Sequence, residues 1–359
     1  MSGWQEWSPF GLDRSEKESL LSQGLISLTK HHYSNCPEYR CMIDANGFRL
    51  DNLRTIEEVP FLPSRLFKLL ELLSIDRDSV SRVLMSSSTT GQAPSKVFLD
   101  KKTSLSQTTA LMRILQNFMG SERMPMLIID HPGVLRGSDG LTARGAGIRG
   151  LSTFGRDNTY ALRDGDLSVD EAAVRSFAEK YRGKTKLLFG FTGIVWTNFI
   201  QPLMQSPNAP DLEGSILLHS GGWKKMEAEA VNNERFKQGV FDATKIDRVH
   251  NFYGMAEQVG TIFMECEQGK LHAPAFADVL IRDARSWKVV EPGEPGLIQT
   301  LSILPESYPG HSVLTEDRGI ITGEDDCACG RMGKTLQVLG RIEQSEVRGC
   351  SDTQSGRLS

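Results

Sequence analysis

Apolar residues near the start of the chain recur at helical spacing. These are Leu20, Leu21, Leu25 and Leu28. Residues three and four apart share one helix face, so this spacing predicts an amphipathic helix packed on the main body. Ser15-Glu16-Lys17-Glu18 matches a capping box and predicts the start of the helix. The following stretch, residues 31–39, is interpreted as a loop with packed aromatic residues.

Short apolar runs bounded by turn signals then alternate with helical segments. The runs predict buried strands at 125–130, 186–190, 215–219 and 249–253. Helices are predicted at 103–119 and 169–181. Such alternation is typical of a largely parallel α/β sheet. Beyond about residue 260, glycine, proline and short β-like runs predict a β-rich subdomain.

The pattern divides the chain into four segments. We predict an N-terminal helical segment packed on the core at 1–80, an α/β core at 81–260, a β-rich subdomain at 261–340 and a short C-terminal tail at 341–359.

Composition narrows the class of protein. The 359 residues carry a net charge of −4 with no long basic run, so nucleic acid is not an expected partner. No apolar run is long enough to span a bilayer, and the N-terminus has no signal-peptide pattern. Six cysteines are too few for a disulfide scaffold of this size. We therefore expect a cytoplasmic protein of enzyme size.

A hydroxyl-rich loop follows the apolar residues 83–85, which predict a strand. It consists of Ser86, Ser87, Ser88, Thr89, Thr90 and Gly91. Many backbone N–H and O–H donors on a few residues suit phosphate oxyanions. In isolation such a run is more often a Ser/Thr linker.

Polar or glycine-rich residues also follow the predicted strands, where open α/β sheets bind ligands. The sequences are Gly190-Phe-Thr-Gly193, His219-Ser-Gly-Gly222, Tyr253-Gly-Met-Ala-Glu257, Thr315-Glu-Asp317 and Gly340-Arg341. Together with the loop at 86–91, this set in this order resembles the acyl-adenylate-forming enzymes. Within them it looks most like the acyl-protein synthetases of bacterial bioluminescence, with phenylacetate–CoA ligases as near relatives.

Further motifs carry the same resemblance over nearly the whole chain. They are His31-His32, Val59-Pro-Phe-Leu-Pro-Ser64, Phe67-Lys68, the strand at 123–130, Phe189-Gly-Phe-Thr192 and Arg348-Gly-Cys350. The resemblance implies the large N-terminal domain of an adenylate-forming enzyme, with mainly parallel sheets flanked by helices plus a β-rich subdomain. Only 18 residues (359 − 341) follow Arg341, so the family's C-terminal lid domain is expected to be missing or vestigial.

The resemblance also implies binding of ATP and Mg²⁺. The loop at 86–91 would hold the phosphates, and Glu257 would hold Mg²⁺. The remaining nucleotide contacts would come from Ser220, Gly221, Gly222, Trp223, Tyr253, Gly254, Met255, Asp317 and Arg341. Two departures affect this interpretation. Ser88 stands where the superfamily usually has glycine, and the usual lysine after the loop is displaced to Lys96.

Cysteines supply two further candidates. The resemblance implies that Cys350, near Arg348, accepts the acyl group as a thioester; it joins Glu257 and Arg341 as a predicted catalytic residue. Cys266, His272, Cys327 and Cys329 form a donor set that tetrahedral zinc accepts. The alternative is ordinary reduced thiols in a turn. His131, His250 and His311 receive no predicted role.

Three functions follow from these observations. The first is an enzyme that activates a carboxylic acid, on this resemblance a fatty acid, as acyl-AMP and transfers it to Cys350. The acyl group would then pass to a protein partner: a reductase, a transferase or a carrier protein. The second is an acyl- or aryl-CoA or carrier-protein ligase using the same adenylate. The third is a degenerate, non-catalytic adenylate-binding subunit. The acid, its chain length and the oligomeric state are left open.

Overall fold

The structure, a computed structural model, describes residues 3–85, 94–135, 143–223 and 229–342. These residues form two compact units. Unit 1 comprises the described parts of 1–108, 255–261 and 273–359. Unit 2 comprises the described parts of 109–254 and 262–272. The chain therefore enters unit 1 three times.

Helices occur in both units. In chain order they are α1 (Arg14–Asn35), α2 (Pro37–Ala45), α3 (Leu66–Leu69), α4 (Lys101–Met119), α5 (Ala143–Ser152), α6 (Glu171–Lys180), α7 (Thr192–Ile194), α8 (Gln201–Gln205) and α9 (Asn233–Thr244). A π-helical segment, Val195–Ile200, joins α7 to α8. The predicted helices at 103–119 and 169–181 are confirmed as α4 and α6.

The strands are also numbered in chain order. They are β1 (Leu62–Pro63), β2 (Arg82–Met85), β3 (Lys96–Leu99), β4 (Met124–Ile129), β5 (Gly155–Tyr160), β6 (Leu187–Phe191), β7 (Ile216–Ser220), β8 (Arg248–Gly254), β9 (Ile262–Glu265), β10 (Leu271–His272), β11 (Ala277–Arg282), β12 (Gly296–Ser302), β13 (Ser312–Glu324) and β14 (Lys334–Arg341).

Unit 1 joins the N-terminal helices to the last strands of the chain. Strands β11, β12, β13 and β14 lie side by side and antiparallel. β1 pairs parallel with β13, and β2 with β3 forms a separate antiparallel hairpin. One core cluster combines Tyr39 and Phe67 with Tyr308 and Val313, all buried. The β-rich character predicted for this part of the chain is confirmed.

Two local predictions for the N-terminal region are wrong. Helix α1 begins at Arg14 with Asp13 as its N-cap, because the Asp13 carboxylate accepts the Glu16 N–H at 3.0 Å. The helix therefore starts before the predicted capping box. Residues 31–39 are not a loop: α1 continues to Asn35, and α2 starts directly at Pro37. Proline is well accepted at a first helical position, where no intrahelical N–H bond is lost.

Unit 2 contains the parallel sheet. Its strands run in the order β10-β9-β8-β7-β6-β4-β5. The five from β8 to β5 are mutually parallel, whereas β9 and β10 are antiparallel to their neighbours. Each strand predicted from the sequence is present within two residues. Because the parallel strands end at one edge, the residues after β4, β6, β7 and β8 lie along that edge.

Candidate active site

Glu257 lies in a short 3₁₀ turn of unit 1, Ala256–Gln258. Interior hydrogen bonds hold this turn on both sides of the carboxylate. The Tyr308 hydroxyl donates to the Glu257 backbone carbonyl at 2.9 Å and accepts the Gln107 amide at 3.1 Å. The buried Gln258 amide donates to the carbonyls of Thr300, at 3.1 Å, and Gly310, at 2.8 Å. The position of Glu257 is therefore fixed by groups distant in sequence.

Gly260 allows the chain to leave this turn. Its φ is +86°, and a Cβ there would lie 2.4 Å from the Gln107 carbonyl oxygen. Both the left-handed backbone and the close approach exclude other residues.

The Glu257 side chain is buried, and Lys68 and Arg341 act on it electrostatically. Burial raises its pKa, while a hydrogen bond from Ser95 and the positive charges of Lys68 and Arg341 oppose that shift. A carboxylate within the field of two cations suits a site that also receives Mg²⁺ and phosphate oxygens. Sequence reasoning assigned no role to Lys68 or Ser95. The only sequence signals were their places in a motif shared with the family and just after the hydroxyl-rich loop.

The structure brings together Asp317 and Arg341, the predicted ribose and phosphate contacts. They are paired in register across β13 and β14, with Arg341 Nε 3.4 Å from Asp317 Oδ1. The Thr315 hydroxyl accepts the Asp317 N–H at 3.1 Å and donates to the Ile298 carbonyl at 2.9 Å. The carboxylate is therefore held on a strand rather than in a turn. The Arg341 side chain is 60% exposed and can reach an arriving ligand.

Unit 2 carries the predicted adenine loop directly after β7. The Ser220 hydroxyl donates to the Phe252 carbonyl of the neighbouring strand at 2.8 Å, which fixes the start of the loop. Gly221 has a φ of +84°, and a Cβ there would lie 3.4 Å from Phe191 Cδ1. A Cβ at Gly222 would have no neighbouring atom within 4 Å. Trp223 packs edge-on to Phe236, with ring centroids 6.5 Å apart.

Tyr253 and Gly254 end β8, as predicted for nucleotide contacts. The Tyr253 ring lies 6.1 Å from the ring of Phe263 and is only partly buried. Met255 belongs to unit 1, where its sulfur accepts the Thr300 hydroxyl at 3.7 Å. The apolar residues Ile194, Val195 and Trp196, which follow β6, are buried in the core cluster of unit 2.

The predicted metal ligands lie in two turns. In unit 2, Cys266 and His272 are buried at the ends of the β9–β10 hairpin, where the Cys266 N–H donates to the Lys270 carbonyl at 2.9 Å. In unit 1, Cys327 and Cys329 lie in the turn between β13 and β14, closed by a 3.0 Å bond from Gly330 N–H to the Cys327 carbonyl. Two predicted elements, the loop at 86–91 and Cys350, lie outside the described residues.

Comparison with known proteins decides the family. Residues 5–359 match the family model described as acyl-protein synthetase, LuxE. The chain belongs to the LuxE acyl-protein synthetase family. It is 21% identical over 355 residues to a long-chain-fatty-acid–luciferin-component ligase of Vibrio harveyi, covering 97% of this chain and 89% of that relative. A protein of the same name from Aliivibrio fischeri is 22% identical over 362 residues, with the same coverage.

Solved structures support the fold. The chain is similar to an open conformation of 2-hydroxyisobutyryl-CoA ligase, with a TM-score of 0.70 and 16% identity over 93% of this chain and 77% of that chain. Another structure of that ligase, in its postadenylation state, gives a TM-score of 0.71. At such low identity the likeness shows the fold alone, and it confirms the predicted adenylate-forming α/β fold.

Membership of the LuxE family confirms the predicted enzyme class. The protein is a ligase that activates an acyl group with ATP and transfers it, and the non-catalytic alternative is not favoured. No helix among the described residues is both long enough and apolar enough to cross a membrane.

Proposed function

We propose that this protein converts a long-chain fatty acid to acyl-AMP and passes the acyl group through Cys350 to a protein partner. The Glu257 turn carries the proposal. Its carboxylate is buried, its backbone is fixed by the Tyr308 hydroxyl, and Ser95, Lys68 and Arg341 favour its charged form. The length of the fatty acid is proposed from the relatives, whose names specify long-chain fatty acids.

In the first half-reaction, a carboxylate oxygen of the acid forms a bond to the α-phosphorus of ATP. The bond to the β-phosphate oxygen breaks, and pyrophosphate leaves. Lys68 and Arg341 would stabilise the negative charge that develops on the phosphates. Glu257 would hold Mg²⁺, which when bound neutralises phosphate charge. Positioning and charge stabilisation supply most of the catalysis in such a reaction.

The nucleoside would be bound by residues that already have fixed backbones. Ser220 to Trp223 would border the adenine, since Gly221 and Gly222 leave its plane open to close approach. Tyr253 would stack on adenine or ribose through its partly exposed ring. Asp317, held on β13 beside Arg341, would accept hydrogen bonds from the ribose hydroxyls.

In the second half-reaction, a thiolate attacks the acyl carbonyl carbon. A thioester bond forms, the carbon–oxygen bond to the phosphate breaks, and AMP leaves. Cys350 is the proposed first acceptor, because thiolate is a strong nucleophile and Arg348 favours it. The partner then receives the acyl group by thioester exchange. Direct transfer to coenzyme A or to a carrier pantetheine is the alternative.

Isotope exchange between pyrophosphate and ATP tests the first half-reaction. The assay compares wild type with Glu257→Gln against a panel of fatty and aromatic acids. We expect exchange with long-chain fatty acids and a loss of at least about 100-fold in the variant. Glu294→Gln is the matched control, because Glu294 is an exposed carboxylate of the same unit. Absence of exchange with every acid, in folded wild type, would disprove adenylation.

Covalent labelling tests the second half-reaction. With radiolabelled acid and ATP, wild type should acquire a hydroxylamine-labile label, and Cys350→Ser should lose the label while keeping exchange. Formation of acyl-coenzyme A at full rate by Cys350→Ser would instead support the coenzyme A alternative.

We further propose that Cys266, His272, Cys327 and Cys329 bind a structural zinc ion. Three thiolates and one imidazole are a closed tetrahedral set, and each turn presents two donors. Elemental analysis of the purified protein should find about one zinc per chain. Cys329→Ser should lower this content, whereas Cys41→Ser, at an exposed position on α2, should not. Equal zinc in both variants would count against the site.

The proposal also places the protein in the cytoplasm, in a reducing environment. Among the cysteines that the structure describes, no disulfide is formed, as is usual in that compartment. Alkylation in denaturant and chelator, without prior reduction, of protein taken directly from cells should label all six thiols, including the buried ones. Recovery of a disulfide-linked form from intact cells would contradict this placement.

A further inference from the structure

A charged cluster lies at the carboxyl end of β4, in unit 2. Ile129 of β4 is in register with Gly190 of β6, which is in register with His219 of β7. The next residues, Asp130 and His131, therefore lie at the same sheet edge as the loops after β6 and β7. Sequence reasoning assigned His131 no role, and the proposed adenylation step does not use it.

Asp130 anchors the cluster. Its side chain is 1% exposed, and burial raises its pKa. One carboxylate oxygen accepts the His131 N–H at 2.8 Å, and Arg144 Nε of α5 lies 3.1 Å from the other. The buried carboxylate therefore contacts both the backbone of His131 and the guanidinium of Arg144, whose side chain is 34% exposed.

The hydrogen bonds of the His131 ring define its tautomer. Nδ1 lies 2.8 Å from Asp164 Oδ1, and Nε2 lies 3.2 Å from Arg144 Nη2. A guanidinium can only donate, so Nε2 presents its lone pair and the ring proton is on Nδ1, facing the carboxylate. Gly133 permits this arrangement, since a Cβ there would lie 2.6 Å from the Asp164 carboxylate. A carboxylate that orients an imidazole whose far nitrogen carries the lone pair is the arrangement of a general base, once the bond from Arg144 is exchanged for one from a substrate group.

Helix α5 connects this cluster to the loop after β7. Gly147, one turn after Arg144, is so close to Phe191 that a Cβ would lie 3.1 Å from the ring. The same ring lies beside Gly221, at 3.4 Å from its Cβ position. Phe191 therefore lies between the helix that carries Arg144 and the loop proposed for adenine. His131, with its side chain 16% exposed, borders this edge of unit 2.

We propose that His131 is the general base of the transfer step, which rests on the proposed acyl-adenylate function. Its Nε2 takes the proton from the acceptor thiol as the sulfur attacks the acyl carbonyl carbon. The carbon–oxygen bond to the phosphate breaks, AMP leaves as the anion, and the imidazolium later returns its proton to solvent. Asp164 stabilises the imidazolium, and Arg144 moves aside when the thiol enters.

The experiment measures the two half-reactions separately in His131→Asn and Asp164→Asn. The acceptor is whichever of Cys350 and coenzyme A the wild type acylates. In His131→Asn we expect pyrophosphate exchange within about twofold of wild type and transfer slower by about 10² or more. Asp164→Asn should show a smaller loss of transfer. His31→Gln, a partly exposed histidine of unit 1, is the matched control and should change neither reaction.

A pH profile distinguishes a base from a structural residue. Without a base, transfer depends on spontaneously formed thiolate, so the His131→Asn rate should rise about tenfold per pH unit towards the thiol pKa near 8.5. The charged groups around the imidazole are Asp130, Asp164 and Arg144, and Tyr160 of β5 lies within the field of Asp130. None of them changes in His131→Asn, so the altered slope would report His131.

Several results would overturn the proposal. Parallel loss of both half-reactions, or a transfer defect that does not recover at high pH, would show that His131 has a structural role. A raised KM for the acid in Arg144→Gln, with normal transfer, would show that the cluster binds the substrate carboxylate. Asp164 is 57% exposed, so its variant remains interpretable if His131→Asn misfolds. Absence of exchange in wild type would instead disprove the proposed function.

Discussion

Three histidines are held neutral in the interior, and each has a defined partner. The His219 ring packs 4.4 Å from Phe236 and pairs with the Thr192 hydroxyl, and burial lowers its pKa to about 3. Burial also lowers the pKa of His311 to about 3 beside Thr29. His32, between Ser74 and the Pro305 carbonyl, has its pKa lowered well below the usual value by burial.

These histidines predict that the protein loses stability in mild acid. In the unfolded chain they bind protons near pH 6.5, whereas in the folded protein they stay neutral until the pH is far lower. The unfolded state therefore gains protons first as the pH falls, and the loss begins below about 6.5. Between pH 7.5 and 5.5 we expect a loss of roughly 1 kcal/mol per histidine in the free energy of unfolding.

Urea unfolding at these two pH values measures the effect, and pH 5.5 lies above the range in which most carboxylates titrate. His311→Asn should weaken the pH dependence. A free energy of unfolding that is constant from pH 7.5 to 5.5 would contradict the prediction.

Among the site residues, sequence resemblance indicated Glu257, Asp317 and Arg341, and the structure shows how each is held. The resemblance did not indicate Tyr308 or Gln107, whose hydrogen bonds fix the Glu257 turn. Such partners are distant in the sequence and have no local pattern. A buried tyrosine hydroxyl that serves a backbone carbonyl can be recognised only once the fold is known.

At the scale of elements, a buried ion cluster joins helix α1 to the sheet of unit 1. Asp278 of β11 lies 3.5 Å from Lys17 of α1 and 2.9 Å from Lys334 of β14. Burial opposes ionisation, but the two lysine charges hold the pKa of Asp278 below its usual value. Lys17 also donates to the Ala273 carbonyl at 3.3 Å.

Asp278→Asn should therefore be strongly destabilising. It leaves two ammonium groups close together in the interior without the carboxylate that contacts both, which typically costs about 3–5 kcal/mol. Chemical denaturation followed by tryptophan fluorescence measures this loss in the free energy of unfolding.

Glu171→Gln provides the comparison for the Asp278 variant. It breaks the exposed pair with Arg175 on α6, which is worth at most about 0.5 kcal/mol. Similar losses in the two variants would show that the buried cluster contributes no more than a surface pair.

Element boundaries were predictable where periodicity decides them. The four strands predicted for unit 2, at 125–130, 186–190, 215–219 and 249–253, are apolar runs ended by turns, and each was found within two residues as β4, β6, β7 and β8; β5, β9 and β10 were not predicted. The start of α1 was missed because two competing caps lie two residues apart, and only the fold shows that Asp13 accepts the bond. The stretch around Pro37 has the local composition of a loop, although Pro37 begins α2 directly after α1 ends.

At the scale of the whole molecule, the α/β fold could be predicted because strands and helices alternate along the chain. Which segments of the chain make up unit 1 could not be predicted from the sequence. Hydrophobic periodicity reports on neighbours within about one helix or strand, whereas unit 1 joins residues 1–108, 255–261 and 273–359. Residues 255–261, which carry Glu257, belong with strands that follow later in the sequence.

The pairing of β1 with β13 has a consequence during biosynthesis. Leu62 is the partner of Val313, which is made 251 residues later (313 − 62). At ribosomal rates of about 5–20 residues per second, the N-terminal region waits on the order of 10–50 s for this partner. During that time the core cluster that contains Tyr39 and Phe67 lacks two of its buried members, Tyr308 and Val313. Newly made chains should therefore depend most on chaperones before residue 313 emerges, although the finished unit is well packed.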